Sequence, residues 1–192
     1  AAEGDRYLRY ALTESGISPM SLPGMEGGQY VAMGLEHNEI GRPRYDVRTH
    51  ASMTEKRFRK IIAARQDAPE PERYGDPGAE IGILTWGSTA GAVIEAIDLL
   101  RSRGINADLL APKMLRPLPD HQIEPWLASK RIVIVPEVNY SGQFADLVVA
   151  RYASEVVRFY TYGGVPFRVR ELAHRIAQAV EQTAPVQAGA VR

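Results

Sequence analysis

Arg131-Ile-Val-Ile-Val-Pro136 is the run whose reading decides the fold. Its β-branched residues stand side by side, with neither the alternation of a half-exposed strand nor the length of a helix. Such a run fits a strand covered on both faces, the usual condition of a parallel sheet. Outward from it, short apolar runs alternate with helical patterns. Ile81-Gly-Ile-Leu-Thr-Trp86 reads as a strand. Thr89 to Arg103 reads as a helix with Val93, Ile94, Ile97 and Leu100 on its buried side, stopped by Gly104, which suits a left-handed cap. Asn106 to Leu110 is a second strand. Asp120 to Ser129 is a short helix carrying Ile123, Trp126 and Leu127, with Pro125 placed to kink it or reset its start. Gly142 to Ala153 is a helix, Val156 to Tyr160 a strand, and Pro166 to Gln182 a closing helix that accepts proline in its first turn. Four β–α units at this spacing predict a three-layer α/β/α domain with a largely parallel sheet over residues 79–182.

The rest of the chain reads differently. Asp67-Ala-Pro-Glu-Pro-Glu-Arg-Tyr-Gly-Asp-Pro-Gly78 packs three prolines and five charges into 12 residues and reads as a linker. Residues 1–66 read as a connecting segment, with short patterned pieces at 6–12 and 29–33. A helix is predicted from Thr49 to Gln66, with Thr49 or Ser52 as its N-cap. Met53, Phe58, Ile61 and Ile62 share its apolar face, and Lys56, Arg57, Arg59, Lys60 and Arg65 make the other face basic. Between the pieces, Gly16 to Pro43 is dense in glycine and proline, so its path is set by backbone turns. Residues 183–192 read as a frayed tail.

Composition narrows the function. The chain has 192 residues, 45% of them hydrophobic, enough for a real core. Its 23 basic and 23 acidic residues balance, so neither nucleic acid nor an anionic membrane is expected as a partner. No apolar run approaches the roughly 20 residues of a membrane-spanning helix. With no cysteine, the chain holds no disulfide, thiolate zinc site or iron–sulfur cluster through its own thiols. That fits a cytoplasmic protein. The chain opens on Ala1 and enters a patterned segment at once, as a piece of a longer polypeptide would.

Two strand–helix junctions carry candidate chemistry, because ligands of parallel sheets gather at the carboxyl ends of strands. In Trp86-Gly-Ser-Thr89, Gly87 allows close backbone approach and Ser88 or Thr89 caps the next helix, whose free N–H groups suit an anion. The plainer reading is a capped helix that binds nothing. In Glu137-Val-Asn-Tyr-Ser-Gly-Gln143, the polar groups of Glu137, Asn139, Gly142 and Gln143 face a cofactor, a neighbouring chain, or only each other in a hydrogen-bonded turn. A third candidate is Gly34-Leu-Glu-His-Asn-Glu-Ile-Gly41, read as a tight loop presenting Glu36, His37 and Asn38 to an interface or active-site rim. His37, His50, His121 and His174 are scattered without ligand spacing, so no metal residue is assigned. No Gly-x-Ser-x-Gly elbow marks a nucleophile, and no catalytic residue is assigned.

Taken in order, Gly16-Ile-Ser-Pro19, Leu22-Pro-Gly24, Gly34 to Gly41, Met53-Thr-Glu-Lys-Arg-Phe-Arg-Lys60, Trp86 to Thr89, Lys113-Met-Leu-Arg-Pro-Leu-Pro119 and Glu137 to Gln143 resemble the late part of the α subunit of 2-oxoacid:ferredoxin oxidoreductases, in the 2-oxoglutarate (KorA-like) branch. The resemblance runs over about residues 5–175. It implies a domain like the C-terminal domain of transketolases, preceded by the end of a pyrimidine-binding domain. It implies membership of an enzyme that decarboxylates a 2-oxoacid on thiamine diphosphate with Mg, passes electrons through an iron–sulfur cluster to ferredoxin, and forms an acyl-CoA from coenzyme A. The partners implied are a β subunit, the rest of the α chain and, through the complex, ferredoxin. The family's Tyr-Pro-Ile-Thr-Pro and Gly-Asp-Gly strings are absent, so the chain is expected to bind none of these cofactors alone and to be inactive alone, serving assembly and the active-site rim. A free-standing α/β module for CoA or a nucleotide, and a non-catalytic interaction domain, are the other readings.

Overall fold

The computed structural model describes Ala2, Glu3 and residues 6–183. The chain divides into two compact units, Ala1–Asp67 and Ala68–Arg192.

The larger unit is built on a five-stranded sheet. After the two short strands of the first unit, β1 (Ala2–Glu3) and β2 (Arg6–Tyr7), its strands are β3 (Glu72–Gly75), β4 (Ile81–Leu84), β5 (Asp108–Ala111), β6 (Ile132–Glu137) and β7 (Val157–Tyr160). Their spatial order is β3-β5-β4-β6-β7. The last four are parallel, and β3 is an antiparallel edge. The helices of this unit are α2 (Thr89–Arg101), α3 (Asp120–Ala128), α4 (Gln143–Tyr152) and α5 (Val169–Gln182), while α1 (Val47–Ala63) belongs to the first unit. The predicted three-layer α/β/α class is the observed one.

Period-two alternation sends each strand's side chains to both layers. Ile132 and Ile134 pack with Ile83, Leu109, Phe159, Val93, Ile97, Leu100, Leu172 and Ile176, under α2 and α5. Val133 and Val135 pack with Leu84, Leu110, Ile123, Trp126, Phe144 and Val148, under α3 and α4. The β-branched run is therefore buried along its whole length, as its composition requires. Each such side chain contributes about 1.5–3 kcal/mol when fully buried. Gly82 sits where α3 comes closest: a Cβ there would lie 2.7 Å from Trp126 Cη2. Helix α2 ends at Arg101, two residues before the predicted Arg103, and Gly104, whose φ is +77°, closes the turn that follows it. The Ile105 N–H returns to the Leu100 carbonyl at 3.1 Å and that of Gly104 to Arg101 at 3.0 Å, the paired bonds of a Schellman end. Pro125 stands inside α3, which runs on past it to Ala128.

Three expectations need correction. The stretch read as a linker at 67–78 contains β3, and its Arg73 reaches Asp108 of the neighbouring strand at 2.7 Å. Of the patterned pieces at 6–12 and 29–33, for which no element is assigned, only Arg6–Tyr7 forms a strand, paired with Ala2–Glu3. In the first unit, α1 spans Val47–Ala63 and is capped by Asp46, which accepts from the Thr49 N–H at 2.9 Å, so neither Thr49 nor Ser52 is the cap. Its buried residues are Met53 and Lys56, whereas Phe58, Ile61 and Ile62 are exposed. Lys56 turns inward because its ammonium donates to the Tyr10 carbonyl at 2.9 Å and to the Ser18 hydroxyl. Burial, more than the neighbouring Arg9, pushes the Lys56 amine below its ordinary range. The tail predicted to fray lies, beyond Thr183, outside the described residues. No helix among the described residues is long and apolar enough to cross a membrane.

Candidate functional site

Strand order places the two predicted junctions together. From β4 the chain leaves through α2 toward β5; from β6 it leaves through α4 toward β7, on the opposite side of the sheet. The carboxyl ends of β4 and β6, paired as neighbours, are therefore the topological switch point where α/β sheets open a crevice. Thr85 Oγ1 donates to the Pro136 carbonyl at 2.6 Å and ties the two strand ends. Gly87, Ser88 and Thr89 thus share one sheet end with Glu137, Asn139, Gly142 and Gln143.

The β6 junction is closed on itself. Glu137 is fully buried. Its carboxylate accepts from Phe144 N at 2.9 Å, Ala145 N at 3.2 Å and Asn139 Nδ2 at 2.6 Å. Asn139 Oδ1 accepts from Gly142 N at 2.6 Å and Gln143 N at 3.3 Å. The N–H groups that open α4 are all taken, and an internal carboxylate stands where the helix dipole would hold an anion. Gly142, at φ +73°, lets the turn close: a Cβ there would lie 3.3 Å from Glu137 Oε1. Of the readings open to this motif, the hydrogen-bonded turn describes the bonds these residues make.

The β4 junction is open. Ser88 makes no side-chain cap bond. The Ala90 N–H donates to the Gly87 carbonyl at 3.2 Å. Beside it lies a cleft of about 320 Å³ lined by Trp86, Gly87, Ala90, Lys113, Leu115 and Glu72, among others. Lys113 and Trp86 belong to the motifs quoted above; their convergence on one cleft follows from β4 and β5 ending side by side.

The loop of Glu36, His37 and Asn38 belongs to the first unit, and its polar groups are engaged there. The Glu36 carboxylate takes both Arg57 guanidinium nitrogens, at 3.1 and 2.6 Å, and His50 Nδ1 at 2.9 Å. The Arg57 hydrogen bonds, above all other causes, lower its pKa to about 2. The His37 ring lies 4.0 Å from that of Tyr10. Asn38 Oδ1 accepts from Arg42 N at 2.9 Å, and the Asn38 carbonyl accepts from Gly41 N at 2.9 Å. Glu39 Oε1 accepts from Leu12 N at 2.7 Å. The loop is tight, as its bracketing glycines predict, and its polar side chains fasten the unit from within. Among the described residues, no cluster of three or more His, Asp or Glu side chains is placed to hold a metal ion.

Residues 79–172 match the pyruvate:ferredoxin oxidoreductase core domain II family. The chain is 30% identical over 178 residues to the 2-oxoacid:ferredoxin oxidoreductase subunit alpha of Saccharolobus solfataricus, covering 91% of this chain and 28% of that protein. It is 25% identical over 153 residues to the 2-oxoglutarate synthase subunit KorA of Methanothermobacter marburgensis, covering 79% of this chain and 41% of that subunit. The solved 2-oxoglutarate:ferredoxin oxidoreductase of Magnetococcus marinus, with 2-oxoglutarate, coenzyme A and succinyl-CoA bound, is similar at 37% identity and a TM-score of 0.77 over 91% of this chain and 31% of that one. The chain thus spans under a third of the length of the Saccharolobus relative.

Proposed function

Because this chain belongs to the α-subunit family of 2-oxoacid:ferredoxin oxidoreductases, we propose that it is part of an enzyme that oxidatively decarboxylates 2-oxoglutarate to its acyl-CoA and reduces ferredoxin. The observation that carries the substrate choice is the similarity, 37% identical along 91% of the chain, to an enzyme solved with 2-oxoglutarate and succinyl-CoA. In this reading the enzyme is cytoplasmic. Thiamine diphosphate, its Mg²⁺ and the iron–sulfur cluster sit on a β subunit and on other parts of the α chain. This chain, which has no cysteine to ligate a cluster, serves assembly and the rim of the active site. Of its two sheet-end junctions, the open cleft of Trp86, Gly87 and Lys113 is the better rim element. Its helix N-terminus and its lysine both favour a negatively charged group, whereas Glu137 already fills the corresponding place at α4.

The test is made on the assembled α and β subunits. CoA-dependent reduction of ferredoxin is measured with 2-oxoglutarate and with pyruvate. A higher kcat/KM for 2-oxoglutarate is expected. Preference for pyruvate overturns the substrate assignment, and turnover that needs no CoA overturns the acyl-CoA product.

A further inference from the structure

Methionine sulfurs stand open on the first unit. Met20, Met25 and Met33 are 65, 54 and 40% exposed, whereas Met53 of α1 is 3% exposed. Met20 and Met25 line one cleft of about 650 Å³ together with Leu22, Pro23 and Tyr30. A thioether left in water adds nothing to the core, and its sulfur is then within reach of oxidants.

The Met20 sulfur differs from the others in having a cation beside it. A terminal nitrogen of Arg9 donates to Met20 Sδ at 3.4 Å. The Arg9 guanidinium carbon lies 5.4 Å from the Tyr10 ring centroid and 5.5 Å from that of Tyr30. Its Nε is buried and, among the described residues, meets no acceptor. Thioether sulfur is a weak acceptor, so the bond at Sδ satisfies the guanidinium poorly. A sulfoxide oxygen in that place accepts far better, and its bond to a guanidinium is charge-assisted. The Met25 sulfur has a neutral donor instead, the Leu22 N–H at 3.1 Å.

We propose that Met20 is a site of reversible oxidation to the sulfoxide by hydrogen peroxide, with Arg9 selecting the epimer and holding the product oxygen. One Sδ lone pair attacks a peroxide oxygen; the S–O bond forms as the O–O bond breaks, and the departing hydroxide takes the proton of the sulfur-bound hydroxyl. Sulfur loses two electrons and peroxide is reduced to water. A thiol-dependent methionine sulfoxide reductase reverses the change: two thiols become a disulfide, and the oxygen leaves as water. A thioether has two lone pairs, one for each epimer. The Arg9 N–H occupies one, so peroxide meets the other. Rotation of the oxidised side chain then offers the new oxygen to the guanidinium and draws it from the Tyr10 and Tyr30 rings. The site uses residues of one unit only and does not depend on the oxidoreductase reading.

The chain is treated with hydrogen peroxide and digested, and sulfoxide at each methionine is followed by mass spectrometry. Met20 is expected to oxidise at least about tenfold faster than buried Met53. The Met20 peptide is then divided between the two stereospecific methionine sulfoxide reductases, each of which removes one epimer. In the folded chain an excess of one epimer of about fivefold is expected, the bias of one ordinary hydrogen bond. An equal mixture is expected in Arg9→Gln and in wild type oxidised in urea; the urea arm serves alone should Arg9→Gln misfold. The Arg9 Nε–Hε NMR signal should shift on oxidation and stay in place in peroxide-treated Met20→Leu. Oxidation of Met20 no faster than of Met53, an equal mixture in the folded wild type, a bias that survives in urea or in folded Arg9→Gln, or an Arg9 signal indifferent to Met20 oxidation would overturn the proposal.

Discussion

Lys130 Nζ and Asp108 Oδ2 lie 2.8 Å apart, and each side chain is 1% exposed. Asp108 opens β5, and its Oδ2 also takes Trp126 Nε1 and an Arg73 nitrogen, each at 2.7 Å. Lys130 also donates to the carbonyls of Pro77 and Ala79, at 3.1 and 2.9 Å. One carboxylate thus joins the edge strand, the sheet and α3. Asp108→Ala is predicted to leave a buried ammonium and an indole N–H without their partner, lowering stability by about 3–5 kcal/mol. Urea unfolding checks this; a loss below about 1 kcal/mol would show that the cluster is solvated or replaceable.

Glu137 offers the cleanest separation of a structural from a ligand-binding role. Glu137→Ala removes the acceptor of two buried backbone N–H groups and of Asn139. The expected loss is about 1–3 kcal/mol of stability, in the isolated chain and without any ligand. Equal thermal midpoints for variant and wild type would contradict the capping role.

The Glu36–Arg57 pair gives a pH signature. Glu36 has its pKa lowered from 4.5 to about 2 in the folded unit. A depressed carboxylate contributes stability that is fully present above the unfolded pKa and is lost as pH falls through the folded one. The stability gap between wild type and Glu36→Gln should therefore be constant above about pH 5 and shrink as pH falls from about 4.5 toward 2. Denaturation measured across this window reports it; a gap independent of pH would mean that the carboxylate does not matter through its charge.

Gly41 holds the Asn38–Arg42 arm in place. Gly41→Ala combines a left-handed φ with a Cβ 2.2 Å from the Val31 carbonyl oxygen. The predicted cost exceeds about 1 kcal/mol, and amide exchange over residues 36–44 should quicken. Unchanged exchange there would show that the arm can shift without loss.

For the active-site rim, Lys113→Ala in the assembled α and β subunits should raise KM for CoA while leaving that for the 2-oxoacid unchanged. Loss of one cationic contact to an anionic group predicts about a tenfold effect. An equal change in both constants would point to altered assembly.

Much of the larger unit was legible in its sequence because its signals are local. The run at 132–135 specifies a doubly covered strand, the spacing of Val93, Ile97 and Leu100 specifies one helix face, and Gly104 specifies where that helix stops; each is a property of neighbouring residues and backbone dihedrals. Tertiary structure decided the rest. Glu72–Gly75 has the composition of a linker and becomes a strand because β5 offers an edge and Asp108 a buried carboxylate for Arg73. Lys56 lies inward on α1, against the rule for charged residues, because acceptors at Tyr10 and Ser18, 46 and 38 positions away, meet its ammonium. The motif at 137–143 supplies residues for a binding site and for a cap alike, and only the direction of the Glu137 carboxylate, into the first turn of α4, separates the two. The sequence by itself determined the elements whose signals are local, the parallel strands and helices of the larger unit. Which polar groups satisfy one another, and so which are left for a ligand, depends on pairings distant along the chain that no local pattern encodes.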